Sequence, residues 1–245
     1  MSSKLLLGVF FIYLFALCTV SAQQPEPRIV GGYNVTSING FRHQVSIRLI
    51  ANERDGFGRG HICGGSLIGN RTVLTAAHCV YDSITKKYSK ASSYVVAMGG
   101  LQRYVRDNNT IYYGVSRING HKSFKYNTFE NDIAILILDQ DVPLNHPTAQ
   151  PIALSTQNHV VGQSCVISGW GTTKYENGTQ PASLLAVNLI INSRAACNQP
   201  NRHSGSVKIG MFCAGPFAGG IDSCQGDSGG KCEKNASLIN KTAHP

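Results

Sequence analysis

The chain has 245 residues, of which 42% are hydrophobic and only 14% charged, and it carries 26 glycines. That composition excludes a disordered polar chain and suffices for one large β domain or two small ones with sizeable cores. A formal net charge of +9 raises the question of nucleic acid or an acidic membrane, but Lys and Arg are scattered and form no long run. The charge therefore reads as that of a soluble basic secreted protein with no nucleic-acid partner.

In chain order, Lys4 is followed by the apolar run LLLGVFFIYLFALCTV and then Ser21-Ala22. A basic start, a short apolar stretch and a small-residue exit predict a signal peptide over residues 1–22. The run is short for a membrane span and lacks a positive flank after it, so the mature protein is expected to be extracellular and free of the membrane. Residues 23–28, QQPEPR, are too polar to pack. They predict an extended, exposed segment, with Arg28-Ile29 as an accessible cleavage site. Beyond it, QVSIRLI, GGSLI, TVLTAA, YVVAMGG, DIAILIL, SCVISGW, SLLAVNLII and IGMFCAG alternate with Gly, Asn and Pro. Many short strands separated by turn residues predict an all-β barrel or sandwich. The Pro-, Asn- and Asp-rich stretch DQDVPLNHPTAQP, residues 139–151, marks a domain boundary.

Cysteine usage fits an oxidising compartment. Cys18 falls in the signal, and Cys63, Cys79, Cys165, Cys197, Cys213, Cys224 and Cys232 remain, an odd number that leaves one thiol without a partner inside the chain. N-x-S/T acceptors occur at Asn34, Asn70, Asn108, Asn177, Asn235 and Asn240, so a glycoprotein is expected, with some sites occupied.

Three stretches carry chemistry: LTAAHC with His78, NDIAILIL with Asp132, and GDSGG with Ser228. An alcohol needs an adjacent base to act as a nucleophile near neutral pH, and the base needs a third group to orient it. Imidazole supplies such a base, and a buried carboxylate can hold its tautomer. Glycines beside the serine free backbone N–H groups to converge on a developing oxyanion. Singly each motif is ordinary: a His beside Cys is usually structural, an Asp before an apolar strand usually a cap, a Ser between glycines usually a turn. Their order, behind a signal and a cleavable RIVGG, is what distinguishes them.

From Arg28 to about Gly230 the chain resembles the chymotrypsin-like serine endopeptidases, within them the trypsin-like secreted enzymes. RIVGG, HICGGSLI, LTAAHC, NDIAIL, CVISGWGT, MFCAG and DSCQGDSGG carry the likeness. The resemblance implies two antiparallel β-barrels, the first over 29–145 with His78 and Asp132, the second over 146–230 with Ser228. It implies Ser228 as nucleophile, His78 as base then acid, Asp132 as its orienting carboxylate, and the N–H groups of Gly226 and Ser228 as the oxyanion hole. Asp222 matches the carboxylate that draws Arg or Lys substrates into the primary pocket. The resemblance makes 23–28 an activation propeptide: cleavage after Arg28 would free the Ile29 amine to pair with Asp227, whose burial is costly until a cation reaches it. Cys63–Cys79 and Cys197–Cys213 match family disulfides, while the pairing of Cys165, Cys224 and Cys232 stays open.

The stretch 231–245, KCEKNASLINKTAHP, departs from the family pattern, which continues with further strands, a Ser-Trp-Gly stretch and a helix; Trp170 is the single Trp. The departure implies a second barrel incomplete at its C-terminal side, with an open sheet edge and a half-walled pocket around Asp222. The expected partners are protein or peptide substrates with Arg or Lys, and protease inhibitors. No cofactor is expected. Residues 91–115 hold Asp107 as their one acid, so no calcium loop and no other metal site is expected. The alternative reading is a non-catalytic relative or truncated product that acts by binding.

Overall fold

The computed structural model describes residues 32–172, 179–219, 226–232 and 237–238. The expected signal peptide, Arg28, Ile29, Asp222, Cys224 and most of 231–245 lie outside the described residues.

The fold is nearly all strand. Its strands are β1 Tyr33–Asn34, β2 Gln44–Leu49, β3 His61–Gly69, β4 Thr72–Thr75, the short pair β5 Tyr81–Asp82 and β6 Lys87–Tyr88, β7 Tyr94–Met98, β8 Ile111–Gly120 and β9 Ala134–Leu138. There follow β10 Ser164–Gly169, β11 Leu185–Asn192, β12 Cys213–Ala214, β13 Lys231–Cys232 and β14 Ser237–Leu238. The helices, Ile50–Glu53 and Arg194–Cys197, are single turns.

Strands β2-β3-β4-β9-β8-β7 close into an antiparallel barrel. Strand alternation fills it: Val45 and Ile47 from β2, Val73 from β4, Val96 and Met98 from β7, and Leu136 and Leu138 from β9 are at most 2% exposed. β2 is buried on its other face as well, where Gln44, Ser46 and Arg48 stand two residues apart. A strand covered on both faces must satisfy those polar groups, and Ser168 Oγ of β10 accordingly donates to Gln44 Oε1 at 2.7 Å.

The second part is an antiparallel sheet in the order β1-β11-β10, with β12 also on β11; among the described residues it stays open. Its core joins Ile167, Leu185, Val187, Leu189, Ile191 and Phe212. β1, within the expected first barrel by position, pairs with β11 of this second sheet (Tyr33 opposite Ala186). Segment 101–103 docks the barrel onto the sheet: Arg103 N donates to Ala182 O at 2.7 Å, Leu184 N to Leu101 O at 2.8 Å, and Trp170 Nε1 to Leu101 O at 3.1 Å. Among the described residues three disulfides close the structure. Cys63–Cys79 and Cys197–Cys213 pair as the family likeness implies, and Cys165 bonds to Cys232.

Among the described residues no helix is long and apolar enough to cross a membrane.

Candidate active site

The closed barrel presents His78 and Asp132 from one end. β4 and β9 pair with Thr75 opposite Ala134. Asp132 lies two residues before Ala134, and His78 sits three residues after Thr75 in the 3₁₀ turn Ala77–Val80. The disulfide Cys63–Cys79 ties that turn back to β3. The pair therefore inherits the rigidity of a strand register.

Asp132 meets His78 twice. Its Oδ1 accepts the His78 backbone N–H at 2.8 Å, and its Oδ2 lies 2.7 Å from His78 Nδ1. An ionised carboxylate only accepts, so Nδ1 carries the shared proton and Nε2 presents its lone pair outward. The Asp132 side chain is 1% exposed and that of His78 22%, so the carboxylate is shielded while the imidazole faces the surface. Burial, then the Asp132 charge, raises the nearby Tyr88 phenol above its ordinary value.

Ser228 arrives from the other half and is half-buried. Cys79 Sγ lies 3.9 Å from the Ser228 carbonyl oxygen and 3.7 Å from His78 Nε2, so one sulfur brackets both. The turn is held from beneath. A side chain at Gly229 (φ +86°) would collide with Thr75 Oγ1 and reach 2.5 Å from Gly64 O, which explains a glycine after the serine. Gly230 N donates to Asp227 O at 3.0 Å, and Asp227 Oδ1 accepts the Gly171 N–H at 2.8 Å. Asp227 is buried at 7% exposure. Gly226, with φ +96° and a Cβ position 3.0 Å from Gly171 Cα, leaves its carbonyl to His61 Nε2 at 3.1 Å.

An aromatic wall flanks His78, and it escaped the sequence reading. Phe129 meets the imidazole edge-on at 5.5 Å between centroids and continues to Tyr126 at 5.9 Å. Phe129 and Asn131 adopt left-handed backbone angles, φ 53° and 58°, uncommon for a bulky residue. The Asn131 side chain secures the loop by donating to Ser123 O at 2.9 Å. Nothing in the spacing of TFEND announces that ring; only the fold places it. His61, Ser46 and Arg48 were likewise given no role by sequence, although His61 lies inside the quoted HICGGSLI.

As for metals, Cys63, His78 and Cys79 bring donor atoms within 4.8 Å of one another. Both sulfurs are spent in the disulfide, so the group offers a cation no thiolate.

A closed barrel beside a second antiparallel sheet, with an imidazole-carboxylate pair close to a glycine-lined serine turn, is the layout of the chymotrypsin-like two-barrel proteins. Comparison with known proteins agrees. The trypsin family matches residues 29–235, which reaches past Gly230 to include Cys232. The chain is 33% identical over 230 residues to trypsin eta of Drosophila erecta, covering 93% of this chain and 84% of that protein. It is 36% identical over 214 residues to trypsin zeta of Drosophila melanogaster (84% and 72% covered). Against cationic trypsin-3 of Rattus norvegicus it is 32% identical over 230 residues (94% and 84%). The chain belongs to the trypsin family of serine-type endopeptidases.

Proposed function

We propose that the chain is a secreted serine endopeptidase that hydrolyses peptide bonds after Arg or Lys, made as a zymogen and activated by cleavage between Arg28 and Ile29. The two-point contact of Asp132 with His78, beside the Ser228 turn, carries this reading. In the proposed reaction Ser228 Oγ attacks the scissile carbonyl and passes its proton to His78 Nε2. Asp132 keeps Nδ1–H in place and stabilises the imidazolium. The N–H groups of Gly226 and Ser228 receive the oxyanion. His78 then gives the proton to the leaving amine, and water repeats the sequence on the acyl-enzyme.

Asp222 supplies the preference for a cationic side chain, and Asp227 receives the freed Ile29 amine. A glycine-cradled carboxylate at 7% exposure is a receptor for such a cation. The substrates are proteins or peptides that present Arg or Lys, and protease inhibitors are the natural competitors. Asn34, Asn70 and Asn108 are exposed and suit glycans on a secreted chain.

The test is hydrolysis of matched peptide amides by the chain cleaved at Arg28. Arg and Lys substrates are expected to exceed Leu and Asp substrates at least about a hundredfold in kcat/KM, with the preference collapsing in Asp222→Ser. Equal cleavage of all four would overturn the specificity, and a folded, cleaved chain that turns over none would favour a binding protein.

A further inference from the structure

Ser46 and Arg48 share the β2 face turned away from the barrel core, and each is at most 3% exposed. From Arg48 a line of hydrogen bonds runs to the serine turn. Arg48 Nε donates to Ser46 Oγ at 2.9 Å, Ser46 Oγ lies 2.8 Å from His61 Nδ1, and His61 Nε2 lies 3.1 Å from Gly226 O. Both ends have a fixed sense, since a guanidinium only donates and a carbonyl only accepts. His61 Nε2 therefore carries the ring proton, Nδ1 accepts from the Ser46 hydroxyl, and the Ser46 oxygen accepts from Arg48.

We propose that Arg48 is a positioning residue for the Gly226 turn: it aims the Ser46 hydroxyl at His61 and so fixes the imidazole in the Nε2–H form that grips the Gly226 carbonyl. Its consequence for catalysis rests on the proposed reading of Gly226 and Ser228 as oxyanion donors, because the gripped carbonyl belongs to the residue whose N–H faces the oxyanion.

Arg48 is built to hold that post. Its Nη1 meets Glu53 Oε2 at 3.3 Å, its Nη2 donates to Arg103 O at 3.1 Å, and its guanidinium carbon stands 4.3 Å from the Phe57 ring centroid. Glu53 also accepts the Gly58 and Gly60 N–H groups at 3.1 and 2.8 Å, so segment 50–60 folds shut over the guanidinium. The surroundings keep His61 neutral as well. Burial first, then the charges of Arg103 and Arg48, holds the imidazole down to about 3, and an imidazolium beside two guanidinium groups is disfavoured.

Two measurements decide it. In the full chain with ¹⁵N-labelled histidine at pH 7, His61 is expected to be protonated at Nε2 and bare at Nδ1. A proton on Nδ1, or an imidazolium, would overturn the proposal whether or not the protein cleaves peptides, so the test survives failure of the proposed function. In the activated chain, Arg48→Met is expected to lower kcat about tenfold with KM changed less than about twofold, and to mix the His61 tautomers. His61→Gln, whose amide can donate to Gly226 and accept from Ser46, is expected to retain at least about fivefold more kcat than His61→Leu. If Arg48→Met fails to fold, Ser46→Ala keeps the Arg48–Glu53 pair and is expected to show the same loss in kcat. An unchanged kcat and tautomer in the folded variants would exclude the role.

Discussion

In the closed barrel each of the strands β2, β3, β4, β7, β8 and β9 has two neighbours, and His78 and Asp132 leave it within three residues of paired positions. Among the described residues the second sheet has free edges. It contributes the turn of Gly226 to Gly230, held by contacts to Gly64 and Thr75 of the barrel, by the Asp227–Gly171 bond and by the nearby Cys165–Cys232 link. The candidate base and its candidate orienter thus ride on a register, while the candidate nucleophile rides on a turn pinned from the side. A barrel cannot shift one strand without disturbing two; a turn can shift when a few pins are removed. Catalytic geometry on the serine side should be the more sensitive to distant changes.

Four experiments press on that contrast. The largest effects are chemical. Ser228→Ala is expected to cost about 10⁵ or more in kcat and Asp132→Asn about 10⁴, the latter through the wrong His78 tautomer, with both chains folded as before. Stopped assays with circular dichroism check this, and an Asp132→Asn variant within tenfold of the parent would break the account of the pair. Next comes the core. Leu136→Ala, at 0% exposure in the closed barrel, is expected to cost about 3–5 kcal/mol in urea unfolding, and Leu189→Ala in the open sheet about 2 kcal/mol, because an open sheet can collapse onto the gap. Equal losses would erase the contrast.

A smaller effect is expected from Cys165→Ser with Cys232→Ser, about 2–3 kcal/mol of stability and a fall in kcat that Leu136→Ala does not show at matched folded fraction. The fourth experiment reads the pH dependence set by His61, which Arg48 and Arg103 face. Its folded value near 3 lies below the ordinary value of 6.5, so below about pH 6.5 the unfolded chain binds a proton that the folded chain refuses. Stability from this group falls as pH drops from 6.5 towards 3 and is constant above. Replacing His61 by Gln is expected to flatten that slope in denaturant midpoints measured from pH 7 to 4.

The candidate site was readable because LTAAHC, NDIAIL and GDSGG, each ordinary alone, follow one another in that order behind RIVGG and so single out His78, Asp132 and Ser228. Most core strands were readable too, since Val45, Ile47, Leu136 and Leu138 alternate as a barrel wall requires. β8 was not. Gly114 and Gly120 interrupt its alternation, and the structure gives the reason: a side chain at Gly114 would reach 2.6 Å from an Asp139 carboxylate oxygen, and one at Gly120 would overlap the Tyr88 ring. Neither neighbour is local in sequence. Ile50 reads as the end of a strand, yet it opens the helical turn Ile50–Glu53, where Glu53 turns back to Arg48. The Arg48–Ser46–His61 line was invisible for the same reason. Its residues are spaced like any strand residues, and their meaning comes from β3 pairing beside β2, with His61 opposite Arg48, and from the Gly226 carbonyl lying within reach of His61.

The most direct measurement is labelling of the chain cleaved at Arg28 by a serine-reactive phosphonate ester with an Arg-like side chain, the adduct mapped by mass spectrometry. The account expects one adduct, on Ser228, lost in His78→Ala. A folded, cleaved chain that takes no adduct, or takes it on another serine, would contradict it.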